Sequence, residues 1–162
     1  MLELHQFDLQ ESLQLLKLDE KELEILKAFK PALERDIEAI VERFYAHILT
    51  VPNLKEIIER HSSVDKLKVT MRAYLLSLFP DKIDENFMAW RVKIGQVHKR
   101  VNLPPFYYLS ANQVLFDELI PRIYAFCRKK TDQALRLSLA LLRIMSFDMQ
   151  IVMASYIHSY MK

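Results

Sequence analysis

The stretch IGQVHKRVNLPPFYY, residues 94–108, holds the only glycine in a chain of 162 residues, three positions before a histidine. Glycine inside a helix costs roughly 1 kcal/mol relative to alanine, so a chain that avoids it elsewhere has a packing or functional reason to keep Gly95. On a helix, positions 95 and 98 lie about 60° apart and one turn removed, so Gly95 and His98 overlook nearly the same patch of surface. The expectation is that Gly95 makes room beside whatever His98 touches. A flat, bulky group held by the imidazole fits that description. The helix stops before Pro104 and Pro105, because the residue preceding a proline disfavours the α region.

Working upstream, Asp84 opens this helix, and Phe87, Trp90, Ile94, Val97 and Val101 recur along it at helical spacing. His98 sits about 40° from Ile94, on the apolar side. Before it, VDKLKVTMRAYLLSLF reads as a helix capped by Ser62 or Ser63 and ended by Pro80 and Asp81. Its inward stripe is Val64, Leu67, Met71, Tyr74, Leu75 and Leu78, with the Thr70 hydroxyl on the flank. The short helix NLKEIIER precedes His61. Further back, IEAIVERFYAHIL carries Ile37, Val41, Phe44, Tyr45 and Ile48 on one face, in a helix that starts near Pro31. Asp19 with Glu22 gives a capping-box-like start to the helix that runs up to Pro31, and LQESLQLLKL forms an amphipathic piece before that. Downstream, one long helix runs from the proline pair to about residue 129, with a bend expected at Pro121, and a second spans 131–161. Hairpin signals and sustained alternation are missing. The chain is all-α, with six to eight helices.

At 51% hydrophobic content, residues 1–162 make one domain with a substantial core. The formal charge is only +2 and the cations are interspersed with acids, so neither nucleic acid nor an anionic membrane is the expected partner. The lone Cys127 excludes an internal disulfide and any multi-cysteine metal site. The N-terminus has no signal-peptide pattern and no segment offers ~20 uninterrupted apolar residues, so a cytoplasmic setting is expected.

Three inward faces thus carry one polar group each. Taken alone, each has an ordinary reading: His98 as a hydrogen-bonded core residue, Tyr45 with its hydroxyl on a backbone carbonyl, Thr70 bonded back to the carbonyl one turn earlier. Tyr107 and Tyr108 read as packing.

The combination of IGxxH with RxxLPPxxY, on Ile94, Gly95, His98, Arg100, Leu103, Pro104, Pro105, Tyr107 and Tyr108, resembles the sensor domain of the globin-coupled sensors. That haem-binding family includes bacterial aerotaxis transducers and haem-regulated diguanylate cyclases. The resemblance continues in FY of VERFYAHIL and in RHSSVDKLKVTM, and it covers nearly the whole chain. Two departures stand within it: Asn102 where glycine is common, and Tyr107 where tryptophan is common.

The resemblance implies a sensor-type globin fold binding haem b through His98, with the aromatic pair 107–108 beneath the haem. Gly95 would then spare the macrocycle a collision. The partner of the second imidazole nitrogen, Tyr108 or a carbonyl on the same helix, stays open. With no histidine on helix 63–79, the ferrous iron is expected to be five-coordinate. Tyr45 would donate to oxygen, and Thr70 would donate directly, act through water, or hold Tyr45. Phe44, Leu67, Met71, Ile94, Gly95, Val101 and Tyr108 would line the pocket, and His61 would approach a haem edge. His5, His47 and His158 are left structural.

The function implied is an oxygen or gas sensor, with CO or NO as further ligands, and not an enzyme. Helices 105–129 and 131–161 would pair in a homodimer, and an output domain is expected beyond the C-terminus. The alternative is a haem-free globin-like module holding an apolar ligand such as a fatty acid. A haem peroxidase or dioxygenase would want a polar distal acid/base set, which Tyr45 and Thr70 among aliphatic residues do not make.

Overall fold

The structure, a computed structural model, describes residues 8–160, with side chains to residue 156. His5 and the side chain of His158 lie outside the described residues. Seven helices follow in order: α1 (Leu9–Leu16), α2 (Glu20–Ile48), α3 (Pro52–His61), α4 (Val64–Ser77), α5 (Glu85–Arg100), α6 (Pro105–Phe126) and α7 (Thr131–Tyr160). The described residues contain no strand.

The expected start signals operate. Asp19, Ser63 and Asp84 accept hydrogen bonds from the backbone amides of Glu22 (3.1 Å), Lys66 (3.3 Å) and Phe87 (2.9 Å), satisfying donors that the first helical turn leaves free. Of the two candidate serines before α4, Ser63 is the cap. At the end of α5, Asn102 adopts a left-handed φ of 57°. Asparagine tolerates that region better than most residues.

The expected break at Pro31 does not occur, and α2 continues through it. Pro31 points to solvent, while Phe29, Ala32 and Leu33 beside it are buried. The missing amide leaves the carbonyl of exposed Lys27 to water, and burial of the flanking apolar face outweighs the cost of the proline. Pro121, also exposed, likewise sits inside α6, which ends at Phe126 and so falls short of residue 129.

Helix α7 forms the centre of the molecule. Within residues 131–156 an 18-residue stretch reaches a mean hydropathy of 1.5, enough by length and composition for a membrane span. Ala140, Leu141, Ile144, Met145, Phe147, Ile151 and Val152 are nevertheless fully enclosed by protein, and the helix packs on α5, α6, α2 and α1. This is the signature of a core helix. The α5–α7 pairing is the most extensive in the fold, whereas α4 rests on α2. The consecutive helices α4 and α5 share no extended contact among the described residues. They meet at one end, where the Arg91 guanidinium donates to the Ser77 hydroxyl at 2.7 Å. Thr70 and His98 each lie seven residues, about 10.5 Å of helix, from that closed end.

Candidate functional site

His98 is half-buried in the last turn of α5. Its Nδ1 lies 2.8 Å from the carbonyl oxygen of Ile94, one turn back on the same helix. A carbonyl only accepts, so this contact places the proton on Nδ1 and leaves the Nε2 lone pair directed away from the helix. Burial pushes the imidazole pKa down, partly opposed by the Ile94 bond and by the charge of Asp148, and the neutral form is the one that ligates metals. The choice left open by the sequence is thereby made: the orienting partner is the backbone. Tyr108 instead stands beside the ring, with centroids 5.5 Å apart at 57°.

Gly95 requires a correction. It is buried against α7, and a Cβ placed on it would lie 2.6 Å from Ser155 Cβ, 2.9 Å from the Val152 carbonyl oxygen and 3.1 Å from Ser155 Oγ. The close approach expected at Gly95 is real, but the neighbours are the Ser155 side chain and the Val152 carbonyl of α7. The 60° between the two positions is enough to turn Gly95 onto α7 while the His98 ring lies beside Tyr108 of α6. The missing side chain at Gly95 is thus accounted for by the α5–α7 contact.

The aromatic pair also divides. Tyr107 accepts a hydrogen bond from Asn53 Nδ2 at 3.2 Å, on the α3 side, so only Tyr108 lies next to His98. His61 is exposed at the end of α3, and with Val101, Arg60, Asn102 and Phe106 it lines a cleft of about 450 Å³ between α3 and the α5–α6 corner.

Tyr45 is buried on α2, with the Phe44 ring edge-on at 5.0 Å. Its hydroxyl donates to the Leu67 carbonyl at 3.2 Å, long for an O–H···O bond. Burial raises the phenol pKa far above its ordinary value, so the group is a proton donor throughout the accessible pH range. Thr70 is exposed, and its hydroxyl donates to the Lys66 carbonyl at 3.3 Å, the ordinary back-bonded arrangement. It does not hold Tyr45 in place, because the partner of that phenol is Leu67. Leu67, Met71, Ile94 and Val101 are half-buried.

Sequence reasoning missed the most densely bonded feature near His98. Arg91 and Asp148, both fully buried, form an ion pair with Nε and Oδ1 2.6 Å apart. The second carboxylate oxygen accepts from Tyr74 at 2.6 Å and from Tyr108 at 3.1 Å. The guanidinium carbon lies 3.7 Å from the centre of the Phe87 ring. Burial, then the Asp148 charge, raises both phenol pKa values and keeps the two groups as donors. Two signals were present: Arg91 lies one heptad before His98 within an apolar stripe, and Asp148 is the one charge in the run IMSFDMQIVM.

As a donor set, the site offers one neutral imidazole flanked by apolar side chains. Among the described residues no group of three His, Cys, Asp or Glu side chains could hold a metal ion. One protein nitrogen is too few for a bare ion, which needs several, but it suffices for a metal whose equatorial ligands arrive with a macrocycle.

Over 152 residues the chain is 28% identical to the protein titled "Heme-based aerotactic transducer HemAT" of Halobacterium salinarum, covering 88% of this chain but 31% of that one. The chain thus spans about a third of the transducer's length. Among solved structures, the globin domain of a Geobacter sulfurreducens globin-coupled sensor superposes with a TM-score of 0.85 at 25% identity, covering 93% of this chain and 98% of that one. The fold is therefore the globin fold of the sensor type. The family model for protoglobin matches residues 5–162, and the chain belongs to the protoglobin family.

Proposed function

We propose that this domain binds haem b through His98 and senses a diatomic gas, oxygen first, on the side facing Tyr45. The observation that carries the reading is the bond from Nδ1–H of His98 to Ile94, which leaves Nε2 free on a half-buried face beside apolar side chains. A bound haem supplies the iron at which the gas is held. His98 faces that group as a neutral ligand, and its ring orientation is set by its own helix. Leu67, Met71, Ile94 and Val101 give an apolar wall that excludes water, Tyr108 supports the imidazole, and His61 with Val101 borders the outer edge.

Tyr45 provides discrimination. A protonated phenol favours a ligand that carries partial negative charge, as oxygen does, over carbon monoxide, which carries little. Its bond to Leu67 must be exchanged for the bond to the ligand, so the benefit is the difference between two hydrogen bonds. Thr70 contributes less, from an exposed hydroxyl already bonded to Lys66.

The domain works as a sensor and not as an enzyme, in a cytoplasmic setting, as the input module of a longer transducer. Exposed Tyr124 and Phe126 at the end of α6, with Leu135 and Leu139 at the start of α7, supply apolar surface for a homodimer through these two helices. Haemin titration of the apoprotein tests the reading. A one-to-one complex with an intense Soret band, turning to a five-coordinate spectrum on reduction, is expected; a protein that takes up no haemin overturns it.

A further inference from the structure

The Arg91–Asp148 pair has no place in gas binding, yet both members are fully buried. Breaking such a pair by removing one member is costly, whereas replacing both members by apolar residues is often neutral or stabilising. Stability alone therefore gives no reason to keep it. Its connections suggest one.

Asp148 lies on α7 and binds three partners on three other helices: Tyr74 of α4, Arg91 of α5 and Tyr108 of α6. Arg91 and His98 are separated by seven residues, so they point within about 20° of one another, about 10.5 Å apart along α5. One end of the His98 face is thus fastened to Asp148 directly. The other end meets Asp148 through Tyr108, whose ring flanks the imidazole and whose hydroxyl donates to the same carboxylate. Between the two, Gly95 seats α5 on Val152 and Ser155 of α7 without an intervening side chain. His98 is in turn fixed to the Ile94 carbonyl, so its ring moves with the last turn of α5 instead of pivoting alone.

We infer that Asp148 is a positioning residue for His98, and that through it a displacement of the His98 face of α5 is delivered to α7. The inference rests on haem ligation by His98. A small shift of the imidazole cannot be absorbed at the Gly95 contact, where there is no slack, and the directional bonds of Asp148 must either follow or break. Packed interfaces of this kind respond by switching arrangement rather than by deforming continuously.

The test uses the haem-loaded ferrous protein, with and without carbon monoxide, and follows amide hydrogen exchange over residues 145–156 of α7. In the wild type, binding of the gas should change exchange there by about 5-fold or more, the lower end of usual coupling factors. Arg91→Met with Asp148→Leu, which removes the pair as a unit, should reduce that change to less than about 2-fold while haem uptake persists. Tyr108→Phe, which deletes a single hydroxyl, should shift the iron–histidine stretching frequency in resonance Raman spectra and shrink the exchange difference by at least about half, as expected for one of the bonds that carry the coupling. An unchanged wild-type response in the double variant overturns the inference, as does a wild type whose α7 exchange ignores the gas. An unshifted stretching frequency in Tyr108→Phe overturns the role of that hydroxyl. Failure of the underlying haem reading is seen separately, as absence of haem uptake by the wild type.

Discussion

The polar groups around Asp148 and those on the α2–α4 face are built to opposite specifications. Around Asp148 the polar groups are buried and the carboxylate is multiply bonded, to Arg91 at 2.6 Å, Tyr74 at 2.6 Å and Tyr108 at 3.1 Å, while half-buried His98 keeps one bond of 2.8 Å to Ile94. On the α2–α4 side, Tyr45 and Thr70 hold single, longer bonds of 3.2 and 3.3 Å to the nearest carbonyls. A ligand to a permanent group must be held in one orientation, which requires low freedom. A donor that answers to an arriving gas must be able to change partner at small cost. In the proposed function, the contrast separates holding from sensing.

The sharpest way to break the comparison is at Asp148. Asp148→Ala leaves the Arg91 charge uncompensated and the Tyr74 and Tyr108 hydroxyls without their acceptor. Urea unfolding of the apoprotein should show a loss of about 3–5 kcal/mol, against little change for Arg91→Met with Asp148→Leu. Equal losses in the two variants would mean that the pair acts only as ordinary packing.

Gly95 comes next. Gly95→Ala gains up to about 1 kcal/mol of helix propensity but forces α5 and α7 apart, which typically costs about 1–3 kcal/mol. The net loss should be the same in apo- and haem-loaded protein, and Ser155→Gly in the same chain should recover part of it. A loss confined to the haem-loaded form would place Gly95 in the pocket.

How far these features could be read in the sequence depended on whether their causes were local. Asp19, Ser63 and Asp84 act within three residues of themselves, so the starts of α2, α4 and α5 were legible. The inward placement of His98 and Tyr45 followed from helical period. Pro31 misled because its cost is local while the compensation, burial of Phe29 and Leu33, is tertiary. Gly95 was rightly singled out, but its α7 neighbours were not foreseen: periodicity says that a residue faces something, not which helix lies there. The Asp148 network joins residues up to 74 positions apart, and no local pattern indicates such a meeting.

The smallest effect is expected on the sensing side. Tyr45→Phe removes a donor whose alternative partner is already in place, worth about 0.5–1.5 kcal/mol, so oxygen release should quicken about 2- to 13-fold with carbon monoxide release little altered. Thr70→Val should change oxygen release less than Tyr45→Phe does. Stopped-flow release of both gases checks the order; a larger effect at Thr70 would exchange the roles of the two hydroxyls.

The central claim, that Nε2 of His98 is the single protein ligand to the haem, is tested most directly by His98→Gly with and without added imidazole. The side chain bonds only to its own helix, so the fold should survive its removal. The account predicts that the reduced haem spectrum is lost in the variant and restored by free imidazole. A variant that keeps the wild-type ferrous spectrum without imidazole would show that another residue holds the haem, and would contradict it.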